Sequence, residues 1–447
     1  MRRRKRAGSR GLLGFSFPLP AFFVALLIST GLLLRGFDST VGQATSCILN
    51  ASLLIALLVR APPSAHFWRR AAPALLLVSA AILWAVVATL SPDGIFPDYA
   101  VGKLLSLFSG VAALLCGALL TRRRRRRRAL LDWLLILNSL ILAMGLVVRQ
   151  VGTNGIFSYW EIERGERYLG LIGNANVTAA IAASFTILAF ARLTWSETPF
   201  NWKLGKRAGA AVYLAMFVMN LVVVIVAASR FTAVLLAGVL SLYAFDWMLR
   251  RRGRQAHRRL MTIAVGALIL LVVGQLSGQL RDRFGLVSAG GEDRVATWSH
   301  LADVAAASPL YGYGLGSFPS VNAHFLTTAR YAEANWAVNS AHNLVLQLML
   351  QAGAPYLLLI LAAIGWGWHQ VARALRRRWT REDVVIVAIL GQILGCSMVD
   401  IVLDMPAPLT LTLFLLGLLW GQALDRSEIS VPLAGLEPAD HVPTVRR

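Results

Sequence analysis

Twelve stretches of about 17 to 24 predominantly apolar residues, with bursts of basic residues between them, leave this chain few ways to fold. A helix rising about 1.5 Å per residue needs about 20 apolar residues to cross a ~30 Å hydrocarbon core. The stretches centre on residues 17–34, 43–59, 72–90, 102–120, 129–148, 170–191, 208–228, 231–248, 261–279, 343–366, 384–402 and 407–424. In one of them, from Ala208 to Ala228, Asn220 is the strongly polar interruption. The reading is an all-α, polytopic membrane protein with about twelve transmembrane helices.

Composition supports this: 57% of residues are apolar and 15% charged, against roughly 45–50% and ~25% in soluble proteins. A net charge of +22 raises the question of nucleic acid, and the placement of the charge answers it. The basic residues sit between apolar runs, at Arg2 to Arg6, Arg122 to Arg128, Arg250 to Arg259 and Arg373 to Arg381, as topology signals do. No nucleic-acid partner is expected; membrane lipids are. Cys47, Cys116 and Cys396 lie apart inside apolar stretches, which argues against a disulfide framework or a metal pair. The first apolar run lacks a small-residue cleavage site and reads as a retained helix.

Sidedness can be counted. With a cytoplasmic amino terminus, 34 basic residues fall inside and 10 outside, while 9 acidic residues fall inside and 13 outside. That asymmetry predicts both termini on the cytoplasmic side of a cytoplasmic membrane. It divides the chain into a basic cytoplasmic amino terminus at 1–16, a transmembrane domain at 17–425 and a cytoplasmic tail at 426–447, rich in proline and small or polar residues. The arginine run 122–128 then lies inside, as a topology anchor near anionic lipid.

Two external segments are too long for simple turns, one at 149–167 and one at about 280–342. The second places Trp298, Leu301, Val304 and Ala305 at helical spacing, which predicts an amphipathic helix near the outer membrane interface. A turn follows at Pro309-Leu310-Tyr311-Gly312-Tyr313-Gly314-Leu315-Gly316; without a following Lys-Ser/Thr or a preceding strand it reads as flexible rather than phosphate-binding.

Chemistry-bearing residues gather on this external side. His342, in Ser340-Ala341-His342-Asn343, stands where the long loop enters the tenth apolar run and can serve as a general base or merely bond at a helix start. Arg230, after Ser229, is a costly cation at membrane depth unless it meets an anion or snorkels to the interface. Arg294 can grip phosphate oxygens with paired bonds or pair locally with Asp293 or Glu292. Arg164 and Arg167 add cations beside Glu161, Glu163 and Glu166. Asp400 and Asp404 can bind a cation or sugar hydroxyls, or read as carboxylates solvated at a helix end. No Asp-X-Asp pair suits a metal-dependent glycosyltransferase, and His300 and His324 lack ligand spacing, so no metal or cofactor is expected.

In order and membrane context, Arg167 with Gly170 and Asn176, Ser229-Arg230, Arg294 with Trp298, the Pro309 to Gly314 turn, and Ala341-His342-Asn343 with Gly353 resemble the O-antigen ligase superfamily. That superfamily also holds O-antigen polymerases and protein O-oligosaccharyltransferases. The resemblance covers about residues 165–370. It implies a C-type glycosyltransferase architecture and a glycan donor on undecaprenyl pyrophosphate. It also implies transfer at the periplasmic face of the bacterial inner membrane, without metal, to a hydroxyl of lipid A-core, of a second glycan or of a protein. It makes His342 the catalytic base and Arg230, Arg294 and Arg167 the pyrophosphate ligands, with Asn343, Asn176 and Trp298 in support. Two departures stand out, Gln351 where an acidic residue is common and Ala175 where Asn-Pro-Asn is common. A transporter or flippase is the alternative of a different class.

Overall fold

The computed structural model describes residues 19–91, 99–121, 124–151, 167–194, 205–250, 287–326, 338–376 and 379–426. Thirteen α-helices run through them: α1 (Leu19–Leu33), α2 (Thr40–Arg60), α3 (Ala65–Thr89), α4 (Ala100–Leu120), α5 (Arg124–Val151), α6 (Ala175–Thr194), α7 (Gly205–Val226), α8 (Arg230–Arg250), α9 (Val287–Ala307), α10 (Phe318–His324), α11 (Leu344–Leu375), α12 (Arg381–Ser397) and α13 (Pro406–Arg426). The described residues contain no strand. Among them α2 to α7, α11 and α13, eight helices, are long and apolar enough to cross a membrane, while α1 and α8 hold shorter apolar stretches. The expected ninth span at 261–279, the amino terminus at 1–16, residues 152–166 and the tail beyond Arg426 lie outside the described residues.

Helix α6 is the axis of the bundle. All its side chains except Asn176 and Leu193 are buried, as expected of a helix apolar all round and surrounded by others. Helices α4 and α13 approach backbone to backbone. A Cβ on Gly117 would stand 2.2 Å from the Phe414 carbonyl oxygen, and one on Gly417 would stand 2.0 Å from that of Leu114. Small residues at such a seam let dispersion contacts accumulate where lipid supplies no hydrophobic drive.

One end of the bundle is closed by ions. Arg127 donates to Asp383 (2.7 Å) and to the Thr380 hydroxyl (2.9 Å), and Arg192 pairs with Asp132 (2.6 Å), which also accepts from Tyr213 (3.2 Å). Within the arginine run, Arg127 is thus taken up by the fold rather than by lipid. Arg126 is exposed, but Arg127 turns inward, because helical α5 directs successive side chains about 100° apart and α12 presents a capping box, Thr380 with Asp383, to receive it.

At the opposite end the helices stop short of their apolar runs. The sixth begins at Ala175 rather than 170, because Gly170 and Gly173 adopt positive φ and Asn174 caps the helix by accepting from the amides of Asn176 and Val177. The eleventh stretch ends as a helix at Ser397 rather than 402, where the Asp400 carboxylate takes the Ile401 amide at 2.9 Å and diverts the backbone.

Candidate active site

The geometry builds from three local turns. Before α6, Arg167 donates from Nε to the Ala227 carbonyl (3.2 Å) and from Nη2 to the Asn176 amide oxygen (2.5 Å), tying the entrance of α6 to the turn between α7 and α8. Ala175 holds the first helical position, where proline also fits, so the departure from Asn-Pro-Asn leaves the turn intact. In the α7–α8 turn Ala228 has a φ of 52°, and Ser229 donates to the Thr232 hydroxyl (3.0 Å) as α8 begins at Arg230. Entering α11, Asn343 caps the helix through the amides of Val345 and Leu346 (3.0 and 3.1 Å) and donates to the Met398 carbonyl (3.1 Å). Its neighbour His342 has a φ of 49°.

Among the described residues, the four non-glycine residues with positive φ, Arg35, Phe37, Ala228 and His342, belong to turns at this end. Such backbones cost roughly 1–3 kcal/mol each and persist where the surrounding packing dictates them.

Asp400, 6% exposed, is the hub. One of its oxygens accepts a short hydrogen bond from the Asn176 amide and lies 3.7 Å from Arg294 Nη2; the other lies 3.4 Å from His342 Nδ1. That imidazole nitrogen is buried and has no closer partner among the described residues. Burial alone would raise the Asp400 pKa, but the His342 imidazole, the Ile401 amide and the Arg294 guanidinium outweigh it and hold the carboxyl below the ordinary range. Asp400 is therefore a carboxylate and can orient an imidazole.

Arg167, Asn176, Ser229, Arg230, Arg294 and Asp400 line one cleft of about 70 Å³. That is far below the ~300 Å³ of a pocket that swallows a drug-sized ligand, so the cleft has room for a small group only. Four of the residues singled out in the sequence, Arg167, Asn176, Arg230 and Arg294, thus converge. His342 is reached through Asp400. Asn343 acts as a cap, and Trp298, one turn beyond Arg294 on α9, does not line the cleft. Arg294 has Asp400 as its partner, across the fold.

Two other expectations change. The glycine-rich turn is pinned rather than flexible: Tyr313 and Gly314 donate to the Leu350 and Gln351 carbonyls (2.8 and 3.0 Å), and Ala354 donates back to Pro309 (2.8 Å). This happens where α11 breaks at Ala352 and Gly353, whose φ is 73°. A Cβ on Gly312 would fall 2.6 Å from the Leu350 oxygen, so the close approach requires glycine. The apolar stripe of α9 is also satisfied by protein, since Leu301, Val304 and Ala305 are buried with Tyr313, Phe318, Val321 and Leu350.

Asp400, read from the sequence as a carboxylate solvated at a helix end, is instead buried between Asn176, Arg294 and His342. The available signal was a carboxylate within an apolar run on the same side as the candidate arginines.

Residues 215–361 match the family model of the O-antigen ligases. That stretch is similar to the O-antigen ligase domain. No curated protein matches the chain. The O-antigen ligase match takes in Arg230, Arg294, Trp298, His342 and Asn343, whereas Arg167, Asn176 and Asp400 lie outside it and join the site through the fold. The matched family is one of glycosyltransferase-like enzymes, and eight helices among the described residues are long and apolar enough to cross a membrane.

Proposed function

We propose that this protein transfers a glycan from undecaprenyl pyrophosphate to an acceptor hydroxyl at the periplasmic face of the bacterial inner membrane, with lipid A-core the favoured acceptor. The observation that carries the reading is the convergence of Arg167, Arg230 and Arg294 on one small cleft, joined through Asp400 to His342.

Breaking a glycosyl phosphate bond puts negative charge on the departing pyrophosphate, and guanidinium groups fixed beforehand stabilise it without reorganising. With Nδ1 turned to Asp400, the imidazole keeps its proton on that nitrogen and presents Nε2 to the acceptor. The acceptor oxygen gives its proton to Nε2 and bonds to the anomeric carbon as the pyrophosphate leaves. The reading requires no metal. Under it the cleft holds the pyrophosphate, and glycan and lipid extend outside.

The same machinery serves a polymerase, whose acceptor is a second lipid-linked glycan, and a protein O-glycosylase. Proteoliposomes supplied with undecaprenyl-pyrophosphate glycan and, separately, lipid A-core, a second donor or a peptide test the choice. Product on lipid A-core that vanishes in His342→Ala is expected. Product only with a second donor makes the protein a polymerase, and movement of intact donor without transfer makes it a flippase.

A further inference from the structure

Asp400 sits on no helix. It rides on an irregular link, residues 398–405, between α12 and α13, and such a segment holds a carboxylate in place only if it is itself held. One end of the link is tied by Asn343, through the Met398 carbonyl. The other end is tied from α4: Lys103 Nζ lies 2.8 Å from Asp404 Oδ1 and donates to the Asp404 main-chain oxygen at 3.1 Å. Gln351, beside the break in α11, reaches the same carboxylate at 3.5 Å. Between the two ties, Val402 is fully buried and Asp404 closes a 3₁₀ turn on Ile401 (2.9 Å). The turn that ends on Lys103 is therefore continuous with the residue that faces His342.

We propose that Lys103 is a positioning residue, which sets the place of Asp400, and through it His342, by clamping the α12–α13 link to α4. The inference rests on the reading of His342 as the base. A plain surface ion pair would not need the main-chain bond: a side-chain pair fixes a charge, whereas a bond to the backbone oxygen fixes the path of the chain. Gln351 fits the same picture. An acidic side chain there would place a second negative charge against Asp404, and the neutral amide bonds it instead.

The test reads His342 directly, whether or not transfer is observed. Full-length protein in detergent is treated with diethyl pyrocarbonate, and the rate at which the His342 ring is modified is followed by peptide mass spectrometry. The comparison takes wild type, Asp400→Asn, Lys103→Met, and the two changes together. Lys103→Met is expected to shift the His342 rate in the same direction as Asp400→Asn, by about threefold or more, and to add less than about 1.5-fold in the Asp400→Asn background. Lys103→Met with Asp404→Asn, which removes both charges, keeps the shift because the main-chain bond is still lost.

A wild-type rate in Lys103→Met, additive shifts, or full restoration by Asp404→Asn would each overturn the proposal. So would an Asp400→Asn protein whose His342 reacts as in wild type. Thermal midpoints taken alongside identify any variant that is unfolded, and Lys103→Gln then replaces it. Proteoliposome transfer by the same preparations judges the function separately: an inactive wild type counts against the glycosyltransferase reading, and the His342 rates still decide the role of Lys103.

Discussion

The two ends of the bundle use the same side chains to opposite effect. At the Arg127–Asp383 and Arg192–Asp132 end, every member of the two pairs is at most 1% exposed, and the ions close on one another. At the Asp400 end the carboxylate is also buried, at 6% exposure, but its partners are open, His342 at 29% and Arg294 at 45%. A sealed pair has exhausted its electrostatics on holding helices together. An open one, with several cations around one carboxylate, keeps donor capacity for a further anion. Charge inside a membrane bundle is therefore not by itself a mark of chemistry; what distinguishes the site is an excess of cation with access to solvent.

Substitutions at the two ends should separate rate from stability. His342→Ala is expected to lower transfer by about 10²-fold or more while thermal unfolding stays near wild type, measured by glycan transfer and by melting of the same sample. Arg192→Ala should do the reverse. It strands the Asp132 charge in the core and costs about 3–5 kcal/mol, read as a lower unfolding midpoint, with activity per folded molecule retained. If Arg192→Ala removed activity from folded protein, the contrast between the two ends would collapse.

Arg294→Lys sharpens the contrast at the open end. A lysine keeps the charge but loses the planar fork, so transfer should fall by about tenfold, with little change in stability since the side chain is half exposed. Asn343→Ala should cost about 1 kcal/mol of stability through the lost cap, together with a smaller loss of activity through the lost tie to Met398.

The smallest effect is in pH. The folded Asp400 carboxyl has a lowered pKa, so its stabilisation is fully present above the ordinary carboxylate value near ~3.9 and is lost as pH falls through the lowered folded value. The gap in unfolding midpoint between wild type and Asp400→Asn should hold from about pH 7 to about pH 4 and narrow below that. A gap that narrowed on raising the pH would contradict the assignment.

Much of this was legible in the chain. The apolar runs specify helices because a backbone in lipid must satisfy its own hydrogen bonds, and eleven of the twelve runs have a helix in the described residues. The meeting of Arg230, Arg294 and His342 at one end of the fold was legible through their order in the chain. Asp400 was not, because a carboxylate near a helix end looks the same in sequence whether water or a histidine meets it. Nor was the inward turn of Arg127 visible, since seven consecutive arginines give no clue to which one faces a capping box 256 residues away.

The sequence by itself determined the elements, the residue types available for chemistry and, within the O-antigen ligase match, the order of the central motifs. Only the tertiary structure decided which charges are consumed by the fold and which remain available. Pairing depends on distances across helices far apart in the chain, and hydropathy and spacing record local pattern alone. Asp400 meets Asn176, Arg294 and His342 because the entrances of α6 and α11, the helix α9 and the link after α12 converge there, and no one segment carries that information.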